Sequence, residues 1–97
     1  MIRSFGNKST EDFYHGRRRS QARRIATTIR SAALRKLDLI DAAVIIEDLR
    51  VPPGNRLEKL SGDLKDFHSI RINDQWRVIF RWLDGGADEV EIIDYHR

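Results

Sequence analysis

The stretch Ile70-Arg71-Ile72-Asn73-Asp74-Gln75-Trp76-Arg77-Val78-Ile79-Phe80-Arg81-Trp82 decides the fold. Ile70 and Ile72 flank Arg71, while Trp76, Val78, Phe80 and Trp82 alternate with Arg77, Ile79 and Arg81. A period of two marks a half-buried sheet, so two strands are predicted around a turn, with the even positions on the core. Residues opposite one another in a hairpin share a face, which requires an odd loop that sets Ile72 beside Trp76. A three-residue loop of Asn73, Asp74 and Gln75 satisfies the parity, and Asn and Asp tolerate left-handed backbone. Arg71 then stands opposite Arg77 on a helix-free face turned to solvent. Two facing cations repel unless something negative lies between them. The pair fits either a solvated sheet face or a phosphate site, for which the planar guanidinium is well shaped.

The remainder of the chain bounds the choice. Its 97 residues supply one hydrophobic core, so a single domain over residues 1–97 is expected. The absence of cysteine excludes disulfides and thiolate metal sites and suits a reducing compartment. Met1 to Phe5 gives way to polar residues rather than to a signal-peptide core, and no apolar run nears the roughly 20 residues that cross a bilayer. A cytoplasmic location away from membranes is expected. The formal charge of +3 is unevenly spread: Arg17, Arg18, Arg19, Arg23, Arg24, Arg30, Arg35 and Lys36 form a block without a single acid, whereas residues 37–97 hold eight basic and thirteen acidic residues. Such a block marks contact with nucleic acid or an acidic partner, since no intrahelical ion pair offsets its repulsion.

In chain order, Ile2 and Phe5 suit a short strand, and Ser9 or Thr10 suits the cap of a helix through Tyr14. Ser20 is the predicted cap of a helix to Leu39, with Ile25, Ile29, Ala32, Ala33, Lys36 and Leu37 on one side. Asp41 is the predicted cap of a second helix to Arg50, with Ile40 and Ile45 as a staple and Val44, Ile45 and Leu49 buried. Pro52-Pro53-Gly54-Asn55 ends it. A loop follows, anchored by Leu57 and Leu60 at one end of the sheet, and Ser61-Gly62-Asp63 turns into a strand entering near Phe67. Gly85-Gly86 leads to a last strand, Glu89 to Asp94, with Val90 and Ile92 on the core and Glu91, Ile93 and Tyr95 on the arginine face. The architecture is α+β: an N-terminal strand and helices packed on one face of a twisted antiparallel sheet.

Pro-Pro-Gly-Asn-Arg-Leu (52–57), Ser-Gly-Asp (61–63), Ser-Ile-Arg-Ile-Asn-Asp-Gln-Trp-Arg (69–77), Phe-Arg-Trp (80–82) and Glu-Val-Glu-Ile-Ile-Asp-Tyr-His (89–96) follow in order without large gaps. Together they resemble the HigB toxins, also called plasmid maintenance killer proteins, of the RelE/ParE superfamily. The resemblance implies a compact RelE/ParE-like toxin that cleaves mRNA in the ribosomal decoding site, without a metal or other cofactor. It implies a HigA-like helix-turn-helix antitoxin as partner, with the ribosome and mRNA as targets. In such ribonucleases the 2′-hydroxyl attacks its own phosphate, so one group takes its proton, another neutralises the phosphorane and a third protonates the leaving oxygen. Carried over by motif, Arg77 stabilises the phosphate, Tyr95 and His96 position or protonate the nucleotide, and Asp94 is their neighbour. Arg71, Arg56, Lys59 and Arg81 are the expected phosphate contacts, and an aromatic beside arginines suits RNA.

The chain departs from the family pattern in the loop before Gly62-Asp63. Catalytic members carry a histidine and a lysine where this sequence has Glu58 and Ser61. Lys59 could substitute for the lost charge and Glu58 could serve as base; otherwise the protein acts by occupying the ribosome or, as in the ParE branch, DNA gyrase. His68 shares the parity of Ile70 and Ile72 and reads as a core or edge histidine, and His15 as surface. Asp94-x-His96 is too sparse for a metal site, and Gly85-Gly86 is a turn rather than a phosphate-binding loop.

Overall fold

The structure is a computed structural model that describes residues 1–17 and 25–95. Its frame is a four-stranded antiparallel sheet in sequence order: β1 (Glu58–Lys59), β2 (Phe67–Arg71), β3 (Trp76–Leu83) and β4 (Gly86–Asp94). The hairpin has the expected parity. Arg71 faces Arg77, and Ile72 N–H donates to the Trp76 carbonyl at 2.9 Å across the loop of Asn73, Asp74 and Gln75. Asn73 Oδ1 closes that loop by accepting from the backbone of Gln75 (2.9 Å) and Trp76 (2.8 Å). Ile70, Ile72, Val78 and Phe80 enter the core from the even face, with Trp76 and Trp82 packed against it.

Strict alternation fails in β4. Ile79 pairs with Glu91 but Arg81 with Asp88, so Phe80 alone faces both Glu89 and Val90. Glu89 takes up the extra residue in left-handed backbone, φ 53°. This bulge switches parity, which is why odd-numbered Ala87 and even-numbered Val90 are both fully buried. The N-terminal segment runs parallel along this edge, with bridges Ile2 to Ala87 and Phe5 to Val90. The turn before β4 is Asp84-Gly85, both at positive φ, and Gly86 already belongs to the strand. A side chain at Gly86 would collide with the Arg3 guanidinium.

The helices differ from the sequence expectation. Helix α1 (Lys8–Tyr14) is capped by Asn7, whose Oδ1 accepts from Thr10 N–H at 2.9 Å, rather than by Ser9 or Thr10. The expected cap Ser20 lies outside the described residues. Ala26 is extended (ψ 133°), a 3₁₀ turn covers Thr27–Ile29, and α2 runs from Arg30 to Ala42. Ile25 and Ile29 therefore reach the core from ahead of the helix, while Ala33, Leu37 and Ile40 reach it from within. Asp41 is inside α2, where its Oδ1 accepts from Ile2 N–H at 2.9 Å. The second helix reduces to a 3₁₀ turn, Ile46–Arg50, capped by Asp48, which accepts from the backbone of Val44 and Ile45 and is acidified by those two bonds. Leu49 is buried as expected, but Val44 (74%) and Ile45 (54%) are exposed. The stretch expected as a loop at the sheet end instead contributes β1, the edge strand, with Glu58 opposite Ser69 and Lys59 opposite His68.

Asn55 closes the turn Pro53–Asn55 and is wholly buried. Its Nδ2 donates to the carbonyls of Leu49 (3.1 Å) and Val51 (3.3 Å), and its Oδ1 accepts from Lys36 Nζ at 2.5 Å. Replacing it strands buried polar partners, so Asn55→Ala is expected to cost about 2 kcal/mol and lower the melting midpoint by roughly 10 °C. A midpoint within about 2 °C of wild type in thermal melts would show that water satisfies these groups equally well.

Candidate functional site

Arg77 leaves β3 on the odd face, opposite Arg71 in β2 and Ile93 in β4. That face was expected to be open, yet Arg77 is only 7% exposed. The cause is the chain before β1. Arg56 sits in left-handed backbone (φ 46°, ψ 57°) just after the Asn55 turn, and its carbonyl accepts from Arg77 Nη2 at 2.7 Å. Glu58, on the face of its partner Ser69, places Oε1 3.6 Å from Arg77 Nη1. The Tyr95 ring lies with its centroid 5.7 Å from the guanidinium carbon, and Tyr95 N–H donates to the Gln75 carbonyl at 2.7 Å. A buried cation is tolerated only when hydrogen-bonded and charge-compensated, and these contacts supply both.

Around this group is a cleft of about 330 Å³ lined by Arg56, Glu58, Arg71, Asn73, Asp74, Arg77 and Tyr95. Arg71 crosses the hairpin loop to bond the Asp74 carboxylate. Three guanidiniums against two carboxylates leave the lining cationic. A second hollow of about 280 Å³ adjoins it, lined by Glu58, Lys59, Leu60, Ser61, Leu64 and Tyr95. Glu58 and Tyr95 are common to both, so the exposed Ser61 borders a hollow next to the cleft.

Of the sequence-derived site residues, the fold thus brings Arg56, Arg71, Arg77 and Tyr95 together. Lys59 borders the second hollow, but its register opposite His68 turns it toward the other face of the sheet. Arg81 stands apart, with Nε 2.5 Å from Glu89, Nη1 3.5 Å from Asp66, and its guanidinium 4.6 Å over the Phe67 ring. Asp94 pairs with Trp76 on the helix side and accepts from Gln75 Nε2 at 3.0 Å. His96, and Arg18, Arg19, Arg23 and Arg24 of the basic block, lie outside the described residues. Arg17 belongs to an ion pair with the buried Asp12 at 3.2 Å. Asn73 and Asp74 were read only as loop residues; their place beside Arg71 in an odd hairpin loop was the signal that they line the cleft.

His68 is half-buried and stacked on Phe80 with centroids 6.1 Å apart. Burial, and then the charge of Lys59, lower its pKa against a smaller opposing pull from Glu47. His15 is exposed, edge-on to Phe5 and Tyr14. Among the described residues no group of three or more His, Asp or Glu side chains is placed to hold a metal ion, and no helix is long and apolar enough to cross a membrane.

Residues 3–96 match the family model described as the RelE-like toxin of type II toxin-antitoxin system HigB. The chain belongs to the HigB family of RelE-like toxins. It is 48% identical over 87 residues to Toxin HigB-1 of Vibrio cholerae, covering 90% of both chains. It is also 41% identical over 59 residues to an uncharacterized protein of Haemophilus influenzae, covering 61% of this chain and 58% of that one. Among solved structures it resembles the YoeB-YefM complex from Staphylococcus aureus (TM-score 0.60, 17% identity, 100% and 99% of the two chains) and a YafQ mutant from E. coli (TM-score 0.56, 14% identity, 97% and 93%). At those identities the likeness is one of fold, and it agrees with the α+β reading. As a HigB-type toxin the chain has an antitoxin as partner.

Two outcomes follow from this geometry. Because the folded state lowers the His68 pKa below its ordinary 6.5, the unfolded chain binds the proton first as pH falls. The stability contributed is full above about pH 6.5 and declines as pH falls until the folded-state pKa is passed. Denaturant titrations at pH 8 and pH 5 should show wild type weaker at pH 5 and His68→Gln with a smaller difference; equal differences would remove His68 as the source. Because Arg77 is buried and bonded while Arg71 lies at the rim, Arg77→Ala should destabilise by about 1–3 kcal/mol and Arg71→Ala by no more than about 0.5. Equal midpoints for the two variants would contradict the burial of Arg77.

Proposed function

We propose that the arginine cleft is the catalytic site of an endoribonuclease that cuts mRNA on the ribosome and so arrests growth. The observation that carries this reading is the convergence of Arg56, Arg71 and Arg77 with the Tyr95 ring and the Glu58 carboxylate in one cleft. Each step of 2′-hydroxyl attack has a candidate group. The Glu58 carboxylate takes the 2′-hydroxyl proton, and Arg77, assisted by Arg71 and Arg56, meets the charge that grows on the phosphorane oxygens. Tyr95 holds the base by its ring face, and His96, which follows it in the chain, protonates the leaving 5′-oxygen. Asp94, facing away, fixes the end of β4 through Gln75 rather than reacting. None of these roles requires a metal ion or other cofactor. The charge block from Arg17 to Lys36 supports ribosomal RNA as the larger target, and a HigA-like helix-turn-helix protein is the antitoxin we infer, all acting in the cytoplasm.

Ser61 favours a second reading, occupation of the ribosome, or of gyrase, without chemistry. It borders a hollow next to the cleft, where catalytic relatives are expected to carry a cation, and one well-placed charge or donor is worth roughly 3–4 kcal/mol of barrier, about a hundredfold to a thousandfold in rate. Mapping mRNA 5′ ends after brief induction separates the readings. The nuclease reading expects new ends within translated sequence, fewer by a hundredfold or more in Arg77→Lys and more abundant in Ser61→Lys. Growth arrest without new ends in either wild type or Ser61→Lys would establish binding alone.

A further inference from the structure

A third hollow, about 250 Å³, is lined by Lys59, Asp66, His68, Arg81, Trp82 and Leu83. It shares Lys59 with the hollow that borders Ser61, which in turn shares Glu58 and Tyr95 with the arginine cleft. The three hollows are thus neighbours around the two-residue edge strand β1, whose Glu58 and Lys59 turn to opposite faces of the sheet. The third differs in chemistry from the cleft: two aromatic side chains, His68 and Trp82, stand with two cations and one carboxylate. The His68 ring is seated on Phe80, and Phe80 meets Trp82 edge-on with centroids 6.4 Å apart, so both aromatics are fixed by the core beneath them. Among the described residues, Nδ1 of His68 is buried without a hydrogen-bond partner. Leu83, at the outer rim, is exposed.

We propose that this hollow is a second nucleotide subsite, in which a base of single-stranded RNA neighbouring the scissile position packs against Trp82 and His68 while Lys59 meets the intervening phosphate. Fixed aromatics beside cations are what unpaired RNA bases and their backbone require, and the shared lining residues set this hollow one step along β1 from the cleft. An apolar protein segment would fill the Trp82 and Leu83 surface equally well but would bring no anion to Lys59, whereas Arg81 already has Asp66 and Glu89. The subsite also gives Lys59 a role that its register allows: it serves the neighbouring phosphate rather than the one beside Arg77. It rests on the reading of the arginine cleft as an RNA site.

The test is NMR titration of the full-length toxin with a nucleoside monophosphate and with a 2′-O-methyl trinucleotide that cannot be cut. The monophosphate should shift Arg77 and Tyr95 resonances only. The trinucleotide should also shift His68 and the Trp82 indole, and bind tenfold or more tightly. Lys59→Gln and His68→Gln, each checked by its melting curve, should erase that advantage while leaving monophosphate binding intact. If the trinucleotide shifts only the arginine cleft and binds no better, the subsite is overturned and the cleft reading stands. If neither ligand binds, both are overturned. If His68 and Trp82 respond to the antitoxin and not to RNA, the hollow belongs to a protein interface and the proposal fails.

Discussion

The wholly buried Asn55 side chain is the contact on which the site depends. It draws three parts of the chain to one point: the end of the 3₁₀ turn through Leu49, the following extended residue through Val51, and helix α2 through Lys36. An amide can do this because it donates twice and accepts at once, so a single side chain satisfies two carbonyls and an ammonium. The next residue, Arg56, is then left in the left-handed region, where its carbonyl meets Arg77. Without that turn the segment entering β1 would not roof the odd face, and Arg77 would lie on an open sheet. The cleft is therefore made by a turn laid over a sheet, and its central cation is positioned from both sides.

The parity of the hairpin was legible because side-chain alternation along a strand admits only two registers, and one of them exposes Val78 and Phe80. From that alone Arg71 and Arg77 could be set opposite each other, with Tyr95 on their side. What alternation cannot show is where it stops. The bulge at Glu89 has no glycine to announce it, and the change of parity emerges from the strand register and the burial of both Ala87 and Val90. The helix boundaries failed for a related reason. Ile25, Ile29 and Ala33 keep helical spacing across a break at Ala26, since a chain entering the core from outside a helix can reach the same apolar surface. Asp41 and Asn55 are polar residues whose partners are distant in sequence, Ile2 and Lys36, so short-range rules read them as a cap and a turn former.

The charge pattern acquires direction once the fold is known. Lys36, from the acid-free block, lies close enough to Arg71 that burial, then Arg35, then Arg71 all push its pKa down. Arg30, Arg35 and Lys36 of the block lie on α2, where Lys36 bonds Asn55, the residue before Arg56 of the cleft. Of the acids in residues 37–97, Glu58 and Asp74 line the cleft, while Asp41 holds the N-terminal segment, Asp48 caps a turn, Asp88 binds Arg3, and Glu89 and Asp66 hold Arg81.

Glu58 sets opposing demands inside the cleft. At 3.6 Å from Arg77 it offsets the cost of burying that cation, yet this is longer than the roughly 2.7–2.9 Å of a tight charge-assisted bond. On the proposed reading, an entering phosphate would compete with Glu58 for the same guanidinium, because both are anionic acceptors. The Arg56 carbonyl does not compete in this way: it orients Nη2 without cancelling its charge. A carboxylate left in place would repel the phosphate, so the proposed reading requires Glu58 to yield the guanidinium as substrate enters. Position 58 therefore sets phosphate entry against the charge balance that keeps Arg77 buried, a conflict that a neutral histidine there would not create.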